Sequence, residues 1–236
     1  MSATTYSGLH RRDVDLRELM DDPACDPDRL AATLRRFGTV NRLVSGWGHV
    51  YRDRLGPYLR TLGRPARVLD LGSGGGDVLA RLSALAGREG LSVDWVGVDP
   101  DPRAHAVATA RAGARTTFLC DDSSSLLARG EQFDAVLSNH VLHHLEPDEL
   151  TAFAEASAAL STGIVLHSDI ARSRPAYMLY ALGITPLAPG TFLRTDGLRS
   201  IRRSYRADEL AAALGAGWRI ERPAPFRLLA SRSDDA

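Results

Sequence analysis

Apolar and polar residues alternate along the chain in blocks of two kinds. Short apolar runs, which fit buried strands, lie at positions 66–71, 92–99, 116–120, 133–139 and 163–170. Between these runs, apolar residues recur every three or four positions, which is the period of an amphipathic helix. This alternation predicts an α/β fold whose parallel strands are joined by right-handed crossovers.

Two helices are predicted ahead of the first strand. Asp26 and Pro27 supply an N-cap acid and an N1 proline for the first helix, which Gly38 is expected to end. Apolar residues at spacings of three and four over positions 40–59 predict the second helix. The apolar face of these helices either packs against the sheet domain or forms a lid over its ligand.

The part of the chain behind the fifth strand predicts more than one kind of element. Segment 172–194 is too long and too apolar for a plain turn. It fits either an insertion that shapes a binding pocket or a buried pair of helices. A further helix is predicted from about residue 204, and closing strands are predicted at 218–224 and 226–231. One of these two strands is expected to run antiparallel to the rest.

Composition and charge exclude several classes of protein. The chain has 236 residues, of which 44% are hydrophobic and 25% charged, and its formal net charge is zero. This fits one globular domain with an appendage and gives no electrostatic drive toward nucleic acid or an anionic membrane. No apolar run approaches the roughly 18–20 residues of a membrane span, and the N-terminus shows no signal-peptide pattern. Two cysteines make no disulfide framework, so we expect a cytoplasmic protein.

The chain contains no lysine, which excludes Schiff-base enzymes and P-loop nucleotidases. Its cysteines do not have the spacing of a metal site. Histidines 140, 143 and 144 form a cluster, but no acid pattern beside them in the sequence completes a set of ligands. We therefore expect no bound metal.

The first strand runs into a glycine-rich turn, residues 70–77, which reads DLGSGGGD. Glycines let the backbone turn tightly against a ligand, and the following helix presents free N–H groups. A dinucleotide-binding turn would need a third glycine where the chain has Asp77 or Leu79. An acid at the start of the helix would also repel a pyrophosphate.

The frame that fits this turn is acid-x-G-x-G-x-G, formed by Asp70, Gly72, Gly74 and Gly76. In this frame the sequence resembles the class I S-adenosylmethionine-dependent methyltransferases, whose first motif has this form. The resemblance implies S-adenosylmethionine as the cofactor and S-adenosylhomocysteine as its product. It also implies that Asp70 holds the amino-acid part of the cofactor, against which the turn, Ser73 included, packs.

Later segments match the same family in order. The second strand closes on Asp99 and Pro100. The resemblance implies that Asp99 binds the ribose hydroxyls and that Pro100 lies beside the adenine. The third strand is followed by Asp122 and Ser123, which the resemblance places at the adenine, although Asp121 stays an alternative to Asp122.

The fourth strand opens a further motif of the resembled family. Residues 133–145 read FDAVLSNHVLHHL. Within this motif we assign Asn139 to the cofactor. The motif lacks the N/D-P-P-Y/F sequence of methyltransferases that act on DNA bases or glutamine amides, which disfavours acceptors of that kind.

Methyl transfer needs alignment of donor and acceptor, and it needs a base only if the acceptor must lose a proton. Histidine suits this task because its ordinary pKa lies near neutral pH. His140, His143 and His167 lie near the carboxyl ends of strands four and five, where doubly wound sheets place ligands. These three are the predicted catalytic residues, although packing roles are open for each. His144 is expected to have a structural role.

The acceptor is predicted only as a class. We expect O-methylation of a phenolic, polyketide or quinol-like small molecule of secondary metabolism, with no nucleic acid or membrane partner; a homodimer is left open. Transfer to carbon or nitrogen, a non-catalytic S-adenosylmethionine-binding protein and an NAD-dependent oxidoreductase are the alternatives. The predicted acceptor-pocket residues are aromatic or basic: Trp47, Tyr51, Arg172, Tyr177 and Tyr180.

Together these patterns predict a Rossmann-like doubly wound sheet of seven strands, mostly parallel, with one antiparallel strand near the C-terminus. Residues 1–64 are expected to form a helical lid on the acceptor side. Residues 65–236 are expected to form the S-adenosylmethionine-binding domain, with an acceptor-pocket insertion at about 171–203.

Overall fold

The computed structural model describes residues 9–233. Residues 1–8 of the predicted lid and the last three residues of the chain lie outside the described residues. Within residues 9–233, no helix is both long enough and apolar enough to cross a membrane.

A single seven-stranded sheet forms the centre of the fold, in the order β3-β2-β1-β4-β5-β7-β6. Neighbours from β3 to β5 pair in parallel, whereas β7 is antiparallel to both β5 and β6. The predicted sheet is therefore confirmed, including its one antiparallel strand near the C-terminus. The strands are β1 (Ala66–Leu71), β2 (Val93–Val98), β3 (Thr116–Leu119), β4 (Phe133–Asn139), β5 (Ser161–Ile170), β6 (Arg219–Glu221) and β7 (Arg227–Ser233).

Helices cover both faces of the sheet. They are α1 (Pro27–Val44), α2 (Trp47–Val50), α3 (Gly56–Thr61), α4 (Asp77–Arg88), α5 (Pro102–Thr109), α6 (Ser123–Ala128), α7 (Pro147–Leu160), α8 (Arg174–Gly183), α9 (Leu193–Arg203) and α10 (Ala207–Leu214). A π-helical turn, Tyr51–Leu55, joins α2 to α3. Successive residues of β1 point to opposite faces, so that Val68 and Leu69 lie in separate buried clusters.

The strand order places a ligand crevice beside β1. The chain crosses from β1 to β2 on one side and returns to β4 on the other side of β1. In such sheets the connections leave a crevice at the carboxyl ends of the strands, at the point where the order reverses. The glycine turn that follows Leu71 lies at this point.

Helix α1 is longer than predicted. Asp26 accepts hydrogen bonds from the backbone N–H groups of Asp28 and Arg29 at 3.0 Å, so the helix begins as expected. It does not end at Gly38 but continues to Val44. Gly38 lies within the helix and faces α4, where a Cβ would be in ordinary contact, 3.7 Å, with the Cβ of Asp77. The chain leaves α1 only before Gly46, which has a left-handed φ of 75°.

The segment after α1 belongs to the core of the sheet domain. Trp47, Tyr51, Leu55 and Leu59 lie in one buried cluster with sheet residues such as Val68. Residues 47–61 therefore pack as an integral layer on the sheet, so the predicted lid is wrong for this part of the N-terminal segment. Tyr51, predicted to line the acceptor pocket, is 2% exposed inside this cluster, so that prediction is wrong.

The predicted insertion after β5 contains two helices, α8 and α9. The Tyr180 hydroxyl donates to the carbonyl of Leu193 at 2.8 Å and ties the helices together. Gly197 makes this contact possible, because a Cβ there would lie 2.3 Å from the Tyr180 ring. The insertion therefore contains the helix pair that the sequence allowed as an alternative to a pocket wall.

Leu79 tests the shared core. Its side chain is fully buried between α4 and the sheet, so Leu79→Ala is expected to lower the free energy of unfolding by about 2–5 kcal/mol in urea denaturation. Leu127, a leucine at the surface of α6, is the matched control, and Leu127→Ala is expected to stay within about 0.5 kcal/mol of the parent. Equal effects of the two changes would contradict the packing described.

Candidate functional site

A cavity of about 750 Å³ opens at the carboxyl ends of β1, β2 and β4. One end of the cavity is formed by the glycine turn and by α1. The other end is formed by α8, α9 and a segment ahead of α1, residues 18–21, which we call the strap. The cavity therefore spans both the predicted cofactor-binding turn and the predicted acceptor insertion.

The glycine turn adopts a conformation that requires its glycines. Gly72, Gly74 and Gly76 have left-handed φ values of 71°, 53° and 75°. The backbone N–H groups of Gly72 and Ser73 donate to the carbonyl of Val98 at 2.8 and 3.0 Å and fix the turn to β2. Gly72, Ser73 and Gly74 line the cavity, whereas Gly76 lies outside its wall.

Gly76 has a packing function instead of the predicted cofactor contact. A Cβ at this position would lie 2.5 Å from the Phe118 ring, so only glycine fits there. This close approach seats α4 against β3 and thereby holds the turn in place. The sequence motif identified the residue, but the structure does not bring it to the cavity.

Three carboxylates line the cavity at the end formed by the glycine turn: Asp70, Asp77 and Asp99. Asp70 is 1% exposed, and no group within residues 9–233 hydrogen-bonds its Oδ1. Burial, reinforced by Asp77 and Asp99, raises the pKa of Asp70 well above its usual range. A cationic ligand would relieve this repulsion and an anionic one would increase it.

Asp99 is fixed by the backbone around it. Its Oδ2 accepts from the N–H of Gly74 at 2.8 Å and its Oδ1 from the N–H of Asp101 at 2.9 Å. Burial raises its pKa, although these two hydrogen bonds oppose the shift. Pro100 lies beside it in the cavity wall, so these two predicted residues lie where the motif indicated.

The structure does not bring Asp122 and Ser123 into the cavity wall, contrary to the prediction. Asp122 is the N-cap of α6, where its carboxylate accepts from the N–H of Ser125 at 2.8 Å. The alternative acid, Asp121, forms an ion pair with Arg129 at 2.6 Å. Both acids therefore have structural roles in the loop after β3.

Asn139, at the end of β4, is oriented by two donors. Its Oδ1 accepts from Trp47 Nε1 and from Arg227 Nη2, both at 3.0 Å. Because neither partner can accept a hydrogen bond there, the amide oxygen must point toward them and the amide N–H₂ points away from them. Asn139 lines the cavity, whereas Trp47, predicted as an acceptor-pocket residue, is fully buried behind it.

His140 follows Asn139 with a left-handed φ of 65°, which is strained for a residue with a Cβ. Its N–H donates to the carbonyl of Ser168 at 2.8 Å, and its ring lines the cavity. Its Nδ1 lies 3.5 Å from Asp169 Oδ1. Burial and the charges of His143 and Arg227 lower the pKa of His140, so at neutral pH the ring is uncharged and can accept a proton.

His143 lies behind this wall and is fully buried between two carboxylates. Its Nδ1 is 2.9 Å from Asp169 Oδ1 and its Nε2 is 3.2 Å from Glu18 Oε1. Burial alone would lower the pKa of His143, but the two carboxylates raise it to about 9. His143 is therefore a charged ring enclosed by acids, and the prediction that it serves as a base is wrong.

The two acids respond to the same charge. Burial opposes their ionisation, yet the neighbouring histidines lower the pKa of Glu18 to about 2 and hold that of Asp169 well below its usual range. Glu18 also accepts a short hydrogen bond from the Ser200 hydroxyl of α9. The sequence did not indicate Glu18, because it lies 125 positions from His143.

His167, the third predicted base, does not reach the cavity. It lies in β5 two residues before Asp169, about 7 Å deeper in the strand, and its ring lies between Phe153 and Trp218. Its Nδ1 is 2.8 Å from the Ser138 hydroxyl. Burial lowers its pKa to about 3, so it is a neutral core residue.

His144 was not predicted as a site residue, yet its side chain reaches the cavity. Its ring lines the cavity, with Nδ1 3.3 Å from Asp21 Oδ2 and Nε2 3.7 Å from Glu18 Oε1. Its main-chain carbonyl accepts from Arg203 at 3.0 Å. The ring therefore lies at the end of the cavity formed by the strap, α8 and α9.

The strap is tied down at its far side by Asp196. The N–H groups of Leu19 and Met20 donate to the two oxygens of this carboxylate at 2.9 and 3.0 Å. Burial raises the pKa of Asp196 to about 6, although these hydrogen bonds oppose the shift. Tyr180 lines the same end of the cavity, and its contact with an acceptor stays a prediction.

Two other predicted acceptor residues lie elsewhere. Arg172 is 2% exposed; it donates to the carbonyl of Ser204 at 2.6 Å and forms a close ion pair with Glu209. Tyr177 packs in the cluster that contains Leu9. Both predictions are wrong because these side chains join the insertion to the rest of the fold, away from the cavity.

Among the residues that the structure describes, two groups of side chains are close enough to hold a metal ion: Glu18 with His143 and His144, and His140 with His143 and Asp169. The acids that are missing beside the histidines in the sequence are thus supplied by distant segments. His143 is common to both groups, so a metal ion in either of them would have to displace the proton that the ring shares with Glu18 or Asp169.

Comparisons with known proteins agree with this geometry. Residues 68–163 match the family model described as a methyltransferase domain. A ubiquinone biosynthesis O-methyltransferase of Azorhizobium caulinodans is 32% identical over 155 residues, which are 63% of this chain and 55% of that protein. The chain thus spans little more than half the length of this relative. A protein of the same name from Methylobacterium sp. (strain 4-46) is 27% identical over 92% of this chain and 85% of its own.

Solved structures share the fold at low identity. The plantazolicin methyltransferase BpumL, in complex with a pentazolic desmethylPZN analog and SAH, has a TM-score of 0.59 at 15% identity, covering 91% of this chain and 96% of its own. The magnesium protoporphyrin IX methyltransferase (ChlM) from Synechocystis PCC 6803, with bound SAH, has a TM-score of 0.51 at 20% identity, covering 79% of this chain and 82% of its own.

The buried ion triad predicts a pH-dependent stability. Because the pKa of His143 rises from 6.5 to about 9 on folding, its charge stabilises the fold fully below pH 6.5, and this contribution is lost as the pH rises through about 9. Between pH 6.5 and 9.5, the free energy of unfolding is expected to fall by about 1–3 kcal/mol more in the parent than in His143→Gln. His49→Gln, at an exposed histidine, should keep the parent's slope; an unchanged slope in His143→Gln would contradict the triad.

Proposed function

Since the chain belongs to the class I S-adenosylmethionine-dependent methyltransferases, we propose that it methylates an oxygen of a small phenolic or quinol-like acceptor. The observation that carries this proposal is the arrangement of one cavity with two chemically different ends. One end presents the glycine turn and three carboxylates, and the other presents a neutral histidine backed by a carboxylate.

The cofactor end fits S-adenosylmethionine better than a dinucleotide. This cofactor carries an ammonium and a sulfonium but no phosphate, so the unpartnered buried oxygen of Asp70 gains an ion pair when the ammonium binds. Asp99, held by backbone N–H groups, keeps oxygen lone pairs for the ribose hydroxyls. Asp77 would repel a pyrophosphate at the start of α4, whereas the positive charge of S-adenosylmethionine favours a carboxylate there, as it does at Asp70.

When bound, S-adenosylmethionine supplies a methyl group whose sulfonium attachment makes it open to attack by an oxygen lone pair. The task of the chain is to hold the acceptor oxygen in line and to remove its proton. His140 meets the second requirement, because its ring faces the cavity uncharged while Asp169 is placed to stabilise the ring once it is protonated. His143, through its hydrogen bonds with Asp169, positions this carboxylate.

A base beside the acceptor favours oxygen over an already nucleophilic amine. A phenol must lose a proton during transfer, whereas a neutral amine attacks with its own lone pair. Bacterial relatives that are called O-methyltransferases support the same acceptor atom. The strap and the α8–α9 pair close the acceptor end, and we propose that the strap with α1 acts as the lid and that the pair shapes the acceptor pocket.

Cofactor binding tests the first half of the proposal. Calorimetry with S-adenosylhomocysteine is expected to show binding by the parent and none with NAD. Asp70→Asn should weaken binding by about 10- to 100-fold, because it removes one charged partner of the ammonium. Asp94→Asn, at an exposed acid of β2, is the matched control and should bind as the parent does. Binding of NAD instead would overturn the assignment.

Turnover tests the second half. With a library of catechols, hydroquinones and other phenols, His140→Gln is expected to lower kcat by about 10²–10⁴-fold while leaving the affinity for S-adenosylhomocysteine within a factor of two or so. His167→Gln should change kcat far less, since that ring lies outside the cavity. Cofactor binding without turnover on any phenol would favour a non-catalytic binding protein, and normal turnover by His140→Gln would refute its assignment as the base.

A further inference from the structure

Arg227, the first residue of β7, is a buried cation in the wall of the cavity. It is 4% exposed and lies beside Asn139, on the side of β1 where β4, β5 and β7 follow one another in the sheet. Its neighbour in the hairpin, Phe226, has a left-handed φ of 60°. This strained turn brings β7 back along β5 so that the Arg227 side chain reaches the cavity.

The guanidinium is only partly satisfied by the protein. Its Nη2 donates to Asn139 Oδ1 and to the Ser168 hydroxyl, both at 3.0 Å, while its buried Nε has no partner among the described residues. No carboxylate in the part of the chain that the structure describes lies within ion-pair distance of it. Asp169 is near enough to raise its pKa, but the oxygens of Asp169 already accept from His143 and Ile170.

Such a group is costly to bury unless something pairs with it. A desolvated cation without a contacting anion destabilises a fold, and a planar guanidinium with free N–H groups is well suited to bind an oxyanion. Burial lowers the pKa of Arg227 to about 10, so it is still charged at neutral pH. Its free hydrogen-bonding capacity therefore indicates a ligand that carries negative charge on oxygen.

We propose that Arg227 binds the anionic oxygen that the acceptor acquires when it loses its proton. The inference rests on the proposed function, and it adds a residue that touches the reacting atom. In this step the hydroxyl proton passes to His140, and the electron pair of the broken O–H bond stays on the oxygen, which faces the Arg227 guanidinium. As the O–C bond forms, the electron pair of the C–S bond passes to sulfur, so the product ether carries no charge for Arg227 to hold.

The same chemistry could serve the carboxylate of the cofactor. The position of Arg227 favours the acceptor, because β4 and β5 separate β7 from β1, where the glycine turn and Asp70 lie. Arg227 is also close enough to lower the pKa of His140, which places it beside the proposed base. Asn139 adds an amide N–H₂ group turned away from Arg227 Nη2 on the same wall.

A coloured phenol tests the assignment without turnover. In the presence of S-adenosylhomocysteine, 4-nitrophenol is titrated with the protein at a pH where the free probe is half ionised, and the yellow phenolate is read by absorbance. The parent should bind the phenolate at least 10-fold more tightly than the phenol. Arg227→Gln is expected to lose this preference and Arg227→Lys to retain part of it, whereas Arg232→Gln, at an exposed arginine of the same strand, should behave as the parent.

Affinity for S-adenosylhomocysteine separates the two sources of negative charge. Arg227→Gln should bind it within about threefold of the parent, which also shows that the variant is folded; should this variant not fold, the comparison is made with Arg227→Lys. A loss of this affinity, with unchanged affinity for 5′-methylthioadenosine, which lacks the carboxylate, would assign Arg227 to the cofactor and overturn the proposal.

Two further results would also overturn it: a parent protein without preference for the nitrophenolate, and an Arg227→Gln variant that keeps the full preference. Failure of the proposed function is distinguishable from either of these. In that case the parent would bind no S-adenosylhomocysteine, or would bind it and methylate no phenol.

Discussion

The acceptor end of this protein depends on one buried positive charge, the protonated ring of His143 between Glu18 and Asp169. Each carboxylate belongs to a different part of the chain, Glu18 to the strap and Asp169 to the end of β5, so the ring joins three segments of the chain. Removing the ring would leave two desolvated carboxylates without the cation they share, which is far more costly than losing a surface ion pair. This buried ion triad therefore links the strap, the loop after β4 and the carboxylate beside the proposed base.

The two ends of the cavity use charge in opposite ways. At the cofactor end, Asp70, Asp77 and Asp99 repel one another and are left for a cationic ligand to neutralise. At the acceptor end, the acids are already paired with histidine, and Arg227 provides the group that an anion would neutralise. A cationic methyl donor at one end and an acceptor that becomes anionic at the other would match this polarity. This is the charge pattern of the proposed methyl transfer from a sulfonium to a hydroxyl.

The sequence predicted the parts of the fold that local pattern controls. The strands at 66–71 and 133–139, the glycine turn and Asp99 lie where they were expected, because alternation, glycine spacing and strand ends are local properties. It could not predict Glu18, Asp196 or Arg227, which reach the cavity from segments far from its motifs in the chain. His167 failed for a related reason: nearness to a strand end in sequence does not show how deep a side chain lies.

The left-handed backbone at His140 has a consequence for how this protein can change. A residue with a Cβ held at a φ of 65° costs on the order of 1 kcal/mol, a cost that a glycine would largely avoid. Selection for thermal robustness alone would therefore favour glycine at the position where the proposed base stands. If His140 persists among relatives of this chain, it does so against that pressure, and robustness and reactivity compete at this one residue.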